Sequence, residues 1–265
     1  MNQPTTTPAS RRECLLFLCH HTRPNAMAAL EKLRQECAHS AVIPLFDQTR
    51  EQLDLSGIRN ARAVTCPEVT ALLPYPVKHR HHPGTFWPNN IDLPLLWFLQ
   101  QEPGYDYYWV IEYDVRFTGH WQFFFDHFRS NTSDLLATTV FDYAFRPGWS
   151  HWNSLRSPVQ VAPAQRTRAI LSFFRISRTA LTSVHEAYCA GWGGHYEVAI
   201  PTVLRQQGYR LEDMGGNGAY VDPANINRFY TNTPANPGLA PGTYVIRENR
   251  RQKRLHPNML YNPFK

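Results

Sequence analysis

The sequence predicts an α/β fold with a mostly parallel central sheet, and three observations support this. Hydrophobic residues make up 43% of the 265 positions, which is enough for a substantial core. Short apolar runs alternate with segments of helical periodicity, as in right-handed parallel crossovers. One central apolar run, rich in aromatic and β-branched residues, ends in two carboxylates, as buried strands do beside a functional site.

Composition and charge narrow the classes of protein. The charged fraction of 18% lies below the usual ~25%, while aromatic residues and proline are frequent, so an enzyme-like globule is favoured over a disordered chain. Lysine and arginine (27) exceed aspartate and glutamate (21), which gives a net charge of +6. This excess favours an anionic partner, whether nucleotide, acidic glycan, nucleic acid or membrane surface, and does not choose among them.

Cysteine usage and the apolar runs bear on location. The five cysteines are odd in number and include no CxxC pair, which indicates reduced thiols rather than a disulfide framework or a zinc site. The apolar run at 14–19 is too short for a signal peptide or a membrane span. We therefore expect a soluble, cytoplasmic protein whose residues 1–12 form a disordered tail.

The first elements form a strand–helix–strand unit. Cys14–Cys19 is predicted as a strand, followed by a helix that Thr22 or Asn25 can cap. A second strand, Ala41–Phe46, ends at Asp47. Nucleotide-binding folds place an acid at this point against the base or ribose, although Asp47 taken alone is better explained as an ordinary strand-end aspartate.

The next segment contains a histidine-rich loop. A short third strand is predicted at Ala61–Cys66, and the helix Ile91–Gln101 follows the loop. The loop itself, Lys78–Asn90, holds three histidines, which are His79, His81 and His82. These side chains suit either a metal site or a basic loop that binds phosphate.

The central strand lies within Tyr105–Trp121 and ends on Glu112 and Asp114. Side chains at i and i+2 of a strand share a face, with about 7 Å between their Cα atoms. Burying two acids side by side costs several kcal/mol unless a cation or hydrogen-bond donors lie between them. A divalent metal is one interpretation, and an ion pair with Arg116 or another basic residue is the other. An aromatic helix begins at His120.

The middle of the chain is aromatic and irregular. A strand is predicted at Asp134–Val140, and the loop Phe141–Gln165 contains Trp149 and Trp152. Aromatic loops of this kind either stack on sugars and bases or fill the rim of a core. A strand at Arg168–Ile176 comes next.

The last regular elements surround a glycine-rich turn. A helix from Ser177, which caps it, to Tyr188 precedes this turn, and a further helix begins near His195, with Pro201 expected to kink or break it. Glu197 lies in the first turn of that helix, where it is either a general base or a charge favoured by the helix dipole. A short strand at Tyr209–Met214 ends the regular elements.

The remaining residues show no periodicity. We expect 216–265 to wrap over the domain. The basic run at 247–265 is a solvated tail, a phosphate-binding segment or a membrane-surface patch.

The order of these pieces resembles the nucleotide-sugar glycosyltransferases of the GT-A fold. That fold has a Rossmann-like αβα first half and a D-x-D motif that holds Mn²⁺ or Mg²⁺ on the donor diphosphate. Glu112-Tyr113-Asp114 takes the place of this motif as E-x-D. Tyr196 and Glu197 occupy the positions of an E-D pair that supplies the base, and His256 fits a late histidine that closes the metal site. The resemblance covers roughly residues 13–215.

The resemblance implies a single GT-A-like domain over 13–265. Its nucleotide-binding half would span about 13–118, its acceptor half about 119–215 and its wrap about 216–265. It implies inverting transfer from a nucleotide-diphosphate sugar to a glycan or glycolipid, with peripheral contact at the inner membrane face as an option and no nucleic acid. The expected metal ligands are Asp114, Glu112 and His256, and the expected base is Glu197. Nucleotide contacts are expected from Asp47, His20, Thr22 and Arg23, and acceptor contacts from Trp149, Trp152, Trp192 and Gly193.

Two rivals remain open. A non-catalytic binder of nucleic acid or anionic polymer would use the basic run and the aromatic loops, and it leaves Glu112 and Asp114 unexplained. A sugar-nucleotide hydrolase or nucleotidyltransferase would share the fold and the metal. Nucleotidyltransferase chemistry calls for a G-x-G-rich first loop, and the residues after Cys19 contain none.

Overall fold

A computed structural model of the chain describes residues 11–81, 84, 86–87, 90–231 and 255–263. The strands are β1 (Glu13–Cys19), β2 (Ala41–Asp47), β3 (Arg62–Val64), β4 (Tyr107–Glu112), β5 (Arg116–Phe117), β6 (Leu135–Asp142), β7 (Thr167–Ser177), β8 (Leu211–Asp213) and β9 (Leu260–Tyr261). The helices are α1 (Pro24–Glu36), α2 (Cys66–Leu72), α3 (Lys78–His81), α4 (Asp92–Gln101), α5 (Trp121–His127), α6 (Arg178–Cys189) and α7 (Tyr196–Gln206). The predicted elements are therefore present, with ends that shift by a few residues, and α3 adds a helical turn at the start of the predicted histidine loop.

Seven strands form one sheet in the order β3-β2-β1-β4-β7-β6-β8. The pairs β2–β3, β1–β2, β1–β4 and β6–β8 are parallel, whereas β7 runs antiparallel to both of its neighbours. This confirms the α/β class with a mostly parallel sheet. Because β7 is reversed, its first residues lie at the edge where β1, β2 and β4 end.

Helices cover both faces of the sheet because successive strand residues point to opposite sides. In β1, Leu16 and Leu18 pack in a cluster that contains residues of α4, α6 and α7. Leu15 and Phe17 pack on the other side, with residues of α1 and α5. The sheet is thus the middle layer of a three-layer arrangement.

Two expectations concern the helices α6 and α7. Ser177 caps α6 as predicted, since its hydroxyl accepts a hydrogen bond from the Ala180 N–H at 3.2 Å. Of the kink or break expected at Pro201, the break does not occur, and α7 continues through this residue. Proline removes only the amide that would have bonded to the Glu197 carbonyl, and the buried residues on both sides of it keep the helix packed against β7.

The chain after β8 returns to the sheet in the parts that the structure describes. Phe229 and Tyr230 are buried, and β9 pairs antiparallel with β5. Residues 1–10 of the tail expected at 1–12 lie outside the described residues, as does most of the basic run, including 247–254.

The five cysteines are free thiols. Cys14, Cys19, Cys37 and Cys66 are buried free thiols, and Cys189 is exposed. Burial raises the pKa of the Cys19 thiol to about 11, so it stays protonated at neutral pH.

Over the described ranges, no helix combines the length and apolar character needed to cross a bilayer.

Candidate active site

The candidate site lies at the edge of the sheet where three parallel strands end. Strands β1, β2 and β4 run in the same direction, so His20, Asp47 and Glu112 lie at or directly after their carboxyl ends. Open α/β sheets bind their ligands at this edge. The reversed strand β7 contributes its first residues to the same region.

Glu112 and Asp114 bring two carboxylates to the end of β4. Asp114 is 8% exposed, and Glu112 is partly buried. Burial and then the charges of Asp114 and Glu197 raise the pKa of Glu112 well above its usual range. Within the described residues, no hydrogen bond or ion pair reaches the Glu112 carboxylate. This pair is therefore an acidic site that favours either a proton or a metal cation.

Arg116 does not neutralise Glu112 in this structure. Its guanidinium donates to the carbonyl oxygens of Tyr113 (2.7 Å), Val115 (2.8 Å) and Asn25 (2.9 Å). The ion pair considered as the alternative to a metal is therefore absent between these two described residues.

The C-terminal segment reaches the acidic pair through an asparagine. Asn262 Nδ2 donates to Asp114 Oδ1 at 3.0 Å, and the pairing of β9 with β5 holds this segment in place. The side chain of His256 is exposed, and its backbone N–H donates to Tyr261 Oη at 2.8 Å. The described structure thus brings Asn262 rather than His256 to Asp114, and a ligand role for His256 stays a prediction.

Glu197 is the third carboxylate of the region. It is the second residue of α7, and its Oε1 accepts a hydrogen bond from the Leu171 N–H of β7 at 3.3 Å. Burial raises the pKa of Glu197 to about 7, while the charge of Arg168 and the Leu171 amide oppose this rise. Its charge also acts on Glu112, so the two predicted functional groups are electrostatically coupled.

A basic and aromatic cluster surrounds Glu197. The Arg168 guanidinium lies 4.9 Å from the Trp149 ring centre, and the rings of His151 and His195 lie 3.9 Å apart. His195 also caps α7, because its Nδ1 accepts a hydrogen bond from the Glu197 N–H at 3.3 Å. Sequence reasoning missed Arg168 and His195 as site residues, although a basic residue at the start of an apolar strand was an available signal.

The tryptophans predicted to contact the acceptor are buried. Trp149, Trp152 and Trp192 are 7%, 1% and 8% exposed. Trp149 and Trp152 pack with Val198 of α7, which favours the alternative in which they fill a core rim. In this conformation the three tryptophans are not exposed for stacking on a sugar. Gly193, which was also predicted to contact the acceptor, pairs with Arg156 through two backbone hydrogen bonds.

The residues predicted to contact the nucleotide lie along the edge from β2 to β1. His20 packs against Trp87 and Tyr113, with ring centres 5.2 Å and 5.0 Å away. Thr22 and Arg23 are exposed just before α1. Asp47 Oδ1 accepts a hydrogen bond from the Thr49 N–H at 2.8 Å, which is the local turn expected of a strand-end aspartate.

The histidine loop shows no metal site in its described part. His79 Nε2 lies 2.7 Å from the Leu73 carbonyl, and its ring stacks on Tyr75. His82 and the side chain of His81 lie outside the described residues. Across the described chain, no group of three or more His, Cys, Asp and Glu side chains is arranged to hold a metal ion.

The donor set at Glu112 and Asp114 nevertheless fits a hard divalent cation. Mg²⁺ prefers oxygen ligands and is typically held by one or two carboxylates together with substrate phosphates, not by an all-protein cage. Two neighbouring carboxylates, of which Glu112 has a raised pKa, meet that requirement. Mn²⁺ accepts the same ligands.

Comparison with known proteins adds little about chemistry. A family model described as "Protein of unknown function (DUF3405)" matches residues 70–135, a range that contains both Glu112 and Asp114. A search of curated proteins gave no match. A solved structure from Bacillus anthracis, described as a glucose-1-phosphate thymidylyltransferase in complex with a sucrose, is similar over 76% of this chain and 87% of that chain. The identity is 10% and the TM-score is 0.45.

Proposed function

We propose that this protein is a metal-dependent glycosyltransferase that moves a sugar from a nucleotide-diphosphate sugar to a hydroxyl acceptor with inversion. The observation behind the proposal is the grouping of three electrostatically coupled carboxylates at the carboxyl edge of the sheet. Two of them, Glu112 and Asp114, suit a cation, while the pKa of Glu197 at about 7 suits a general base.

Glu112 and Asp114 would hold Mn²⁺ or Mg²⁺. Such an ion, when bound, supplies the positive charge that stabilises a departing nucleoside diphosphate. The amide of Asn262 donates to Asp114 Oδ1 and thereby orients this carboxylate. His256 remains a candidate for a further ligand.

Glu197 would accept the proton of the acceptor hydroxyl as that oxygen attacks the anomeric carbon. The Leu171 N–H fixes Oε1, and Oε2, which lies 3.9 Å from His195 Nδ1, would take the proton. The Arg168 charge favours the ionised form of Glu197, which is the form that a base requires.

The donor would lie along the edge from β4 towards β2. His20 is adjacent to Tyr113 of the E-x-D segment, and the exposed Thr22 and Arg23 precede the N-terminus of α1, where an anion is favoured. Asp47 lies farther along the same edge and would contact the base or ribose.

For the acceptor we retain a glycan or glycolipid. The buried tryptophans would support the helix that bears Glu197, since Trp149 and Trp152 pack against Val198 of α7. Membrane contact through the basic run is likewise a proposal, because most of that run lies outside the described residues.

A thermal-shift screen with UDP-, GDP-, CMP- and dTDP-sugars, with and without Mn²⁺, tests the proposal. A ligand present at about 100 times its Kd stabilises the folded state by about 2.7 kcal/mol, which is readily detected. We expect a shift with one nucleotide class that depends on Mn²⁺ and is lost in D114N. If no nucleotide produces a shift, the proposal is wrong and a binding module becomes the better interpretation.

The released product identifies the reaction. Glycosyl transfer liberates a nucleoside diphosphate, whereas nucleotidyl transfer liberates pyrophosphate from a nucleoside triphosphate. Detection of pyrophosphate, with no diphosphate release in the presence of acceptors, would support the rival on the same fold.

A further inference from the structure

A fully buried ion pair lies close to the start of α7. The Lys78 ammonium is 2.9 Å from Asp92 Oδ2, and both side chains are 0% exposed. The Tyr188 hydroxyl donates to the same carboxylate oxygen at 2.8 Å. The pair therefore connects α3, α4 and α6 inside the protein.

Lys78 also contacts the glycine-rich turn that precedes α7. Its ammonium donates to the Gly194 carbonyl at 2.9 Å. A Cβ atom at Gly193 would lie 3.1 Å from the Lys78 backbone nitrogen and 3.2 Å from its Cα. The turn thus packs directly against Lys78, and a larger residue at Gly193 would require the turn or Lys78 to shift by a few tenths of an ångström.

The turn determines where α7 begins. Gly194 has a φ of 113°, and a Cβ atom there would lie 2.4 Å from the Ser154 carbonyl oxygen. The next residue, His195, donates its N–H to Ser154 Oγ at 3.0 Å and caps the helix. Lys78 holds one side of the turn and Ser154 the other, so their separation sets the position of Glu197.

Stability alone does not account for this ion pair. A buried pair loses much of its Coulomb gain to desolvation, and apolar replacements of both partners are often neutral or stabilising. The second oxygen of Asp92, Oδ1, is also buried and has no hydrogen-bond partner among the described residues. A role in fixing one particular arrangement explains the pair better.

We propose that Lys78 is a positioning residue for Glu197. Its side-chain nitrogen, which lies 2.9 Å from Asp92 Oδ2, donates to the Gly194 carbonyl and thereby fixes the start of α7. Glu197 then meets both the Leu171 amide and the region of the acidic pair. This inference rests on the proposed function in so far as Glu197 is the base.

The double variant K78M/D92N tests it. The single K78M would leave Asp92 buried without its partner, so the two charges are removed together, and the amide oxygen that D92N introduces still accepts the Tyr188 hydroxyl. We expect the midpoint of thermal unfolding to stay within a few degrees of wild type. We expect kcat to fall about 10- to 100-fold, with the donor KM within about twofold. A purely structural role would not separate kcat from KM and stability in this way.

Hydrogen exchange gives a readout that does not depend on activity. The amides of residues 193–197 and of Leu171, which donates to Glu197, should exchange faster in K78M/D92N, while amides in β1 should not change. Should the wild type prove inactive with every donor, the proposed function fails but this measurement still decides the positioning role.

A second variant keeps the test decisive if the double variant does not fold. G193A retains the ion pair and pushes the turn away from Lys78, so it should reproduce both the faster exchange and the lower kcat. G148A is the matched control, because a Cβ atom at Gly148 meets nothing within 4 Å. Unchanged kcat and unchanged exchange at 193–197 in K78M/D92N, or in G193A, would overturn the proposal.

Discussion

Burial and charge act on the Glu197 side chain in opposite directions. Burial raises its pKa, and the Arg168 charge and the Leu171 amide lower it, with a result of about 7. A carboxyl group in that range is a far better proton acceptor at neutral pH than an ordinary glutamate. The residue is therefore suited to its proposed role by its surroundings and not by its identity alone.

This pKa gives the first prediction, a pH dependence of catalysis. A base must be unprotonated, so kcat/KM should rise with pH through about 7 and then level off. E197Q should lower kcat by about 10²- to 10⁴-fold and abolish this acid limb. A pH–rate profile of both proteins measures it. An E197Q variant with the wild-type limb would show that another group titrates.

The contribution of Glu197 to folding stability falls as the pH rises, whereas its contribution to catalysis increases. Its folded-state pKa of about 7 lies above the ordinary value of 4.5, so the folded state binds a proton more tightly than the unfolded state. Its stabilising contribution is complete below pH 4.5 and is lost as the pH rises through 7. Denaturant unfolding at several pH values should show that the free energy of unfolding declines less steeply between pH 4.5 and 7 in E197Q than in wild type.

Arg168 provides the third residue-level prediction. Because its charge lowers the pKa of Glu197, R168M should move the acid limb of kcat/KM to higher pH. R175M is the matched control, since Arg175 is a buried arginine at the other end of β7, where it lies over Tyr107. R175M should lower the unfolding midpoint and leave the acid limb in place. A limb that moves equally in both variants would contradict this electrostatic role.

At the scale of elements, one buried hydroxyl ties the residues after β8 to the sheet. Tyr230 Oη donates to the Asp213 carboxylate and accepts a hydrogen bond from the Thr139 N–H at 2.8 Å. Asp213 also accepts from the amides of Val140 (2.9 Å) and Gly215 (3.0 Å). These contacts join β6, β8 and the following segment, which bears Phe229 and leads towards β9.

Removal of this hydroxyl is the fourth prediction. Y230F leaves the Thr139 amide without its acceptor and Asp213 without one donor in a buried place, which should cost about 1–3 kcal/mol in the free energy of unfolding. Y143F is the control, because no hydrogen bond of the Tyr143 hydroxyl is seen among the described residues. Urea unfolding of the two variants measures the difference. A loss in Y230F no larger than in Y143F would show that the hydroxyl is not the link.

At the scale of the whole molecule, the sequence predicts the structural features that depend on local residue patterns. The strands β1, β2, β4 and β7 were identifiable because each is a short apolar run between polar residues. The contact of Asn262 with Asp114 spans 148 positions, and that of Lys78 with Gly194 spans 116. Such pairs leave no periodic signal in a single sequence. For the same reason, the sequence left open whether Trp149 and Trp152 stack on a ligand or fill a core rim, since the outcome depends on how the loop folds against α7.

Metal binding by the whole molecule is the last prediction. The raised pKa of Glu112 means that a proton competes with a cation for the acidic pair, so metal binding should release protons and tighten as the pH rises. Isothermal titration of Mn²⁺ in buffers of different ionisation enthalpy measures both effects. Wild-type protein with a nucleoside diphosphate present should bind Mn²⁺ more tightly at pH 8 than at pH 6, and D114N should not bind it measurably. D114N retains an oxygen that can accept the Asn262 amide, so its fold should persist, and an unchanged unfolding midpoint would verify this. Equal Mn²⁺ affinity in D114N and wild type would place the metal elsewhere and remove the basis for the assigned pair.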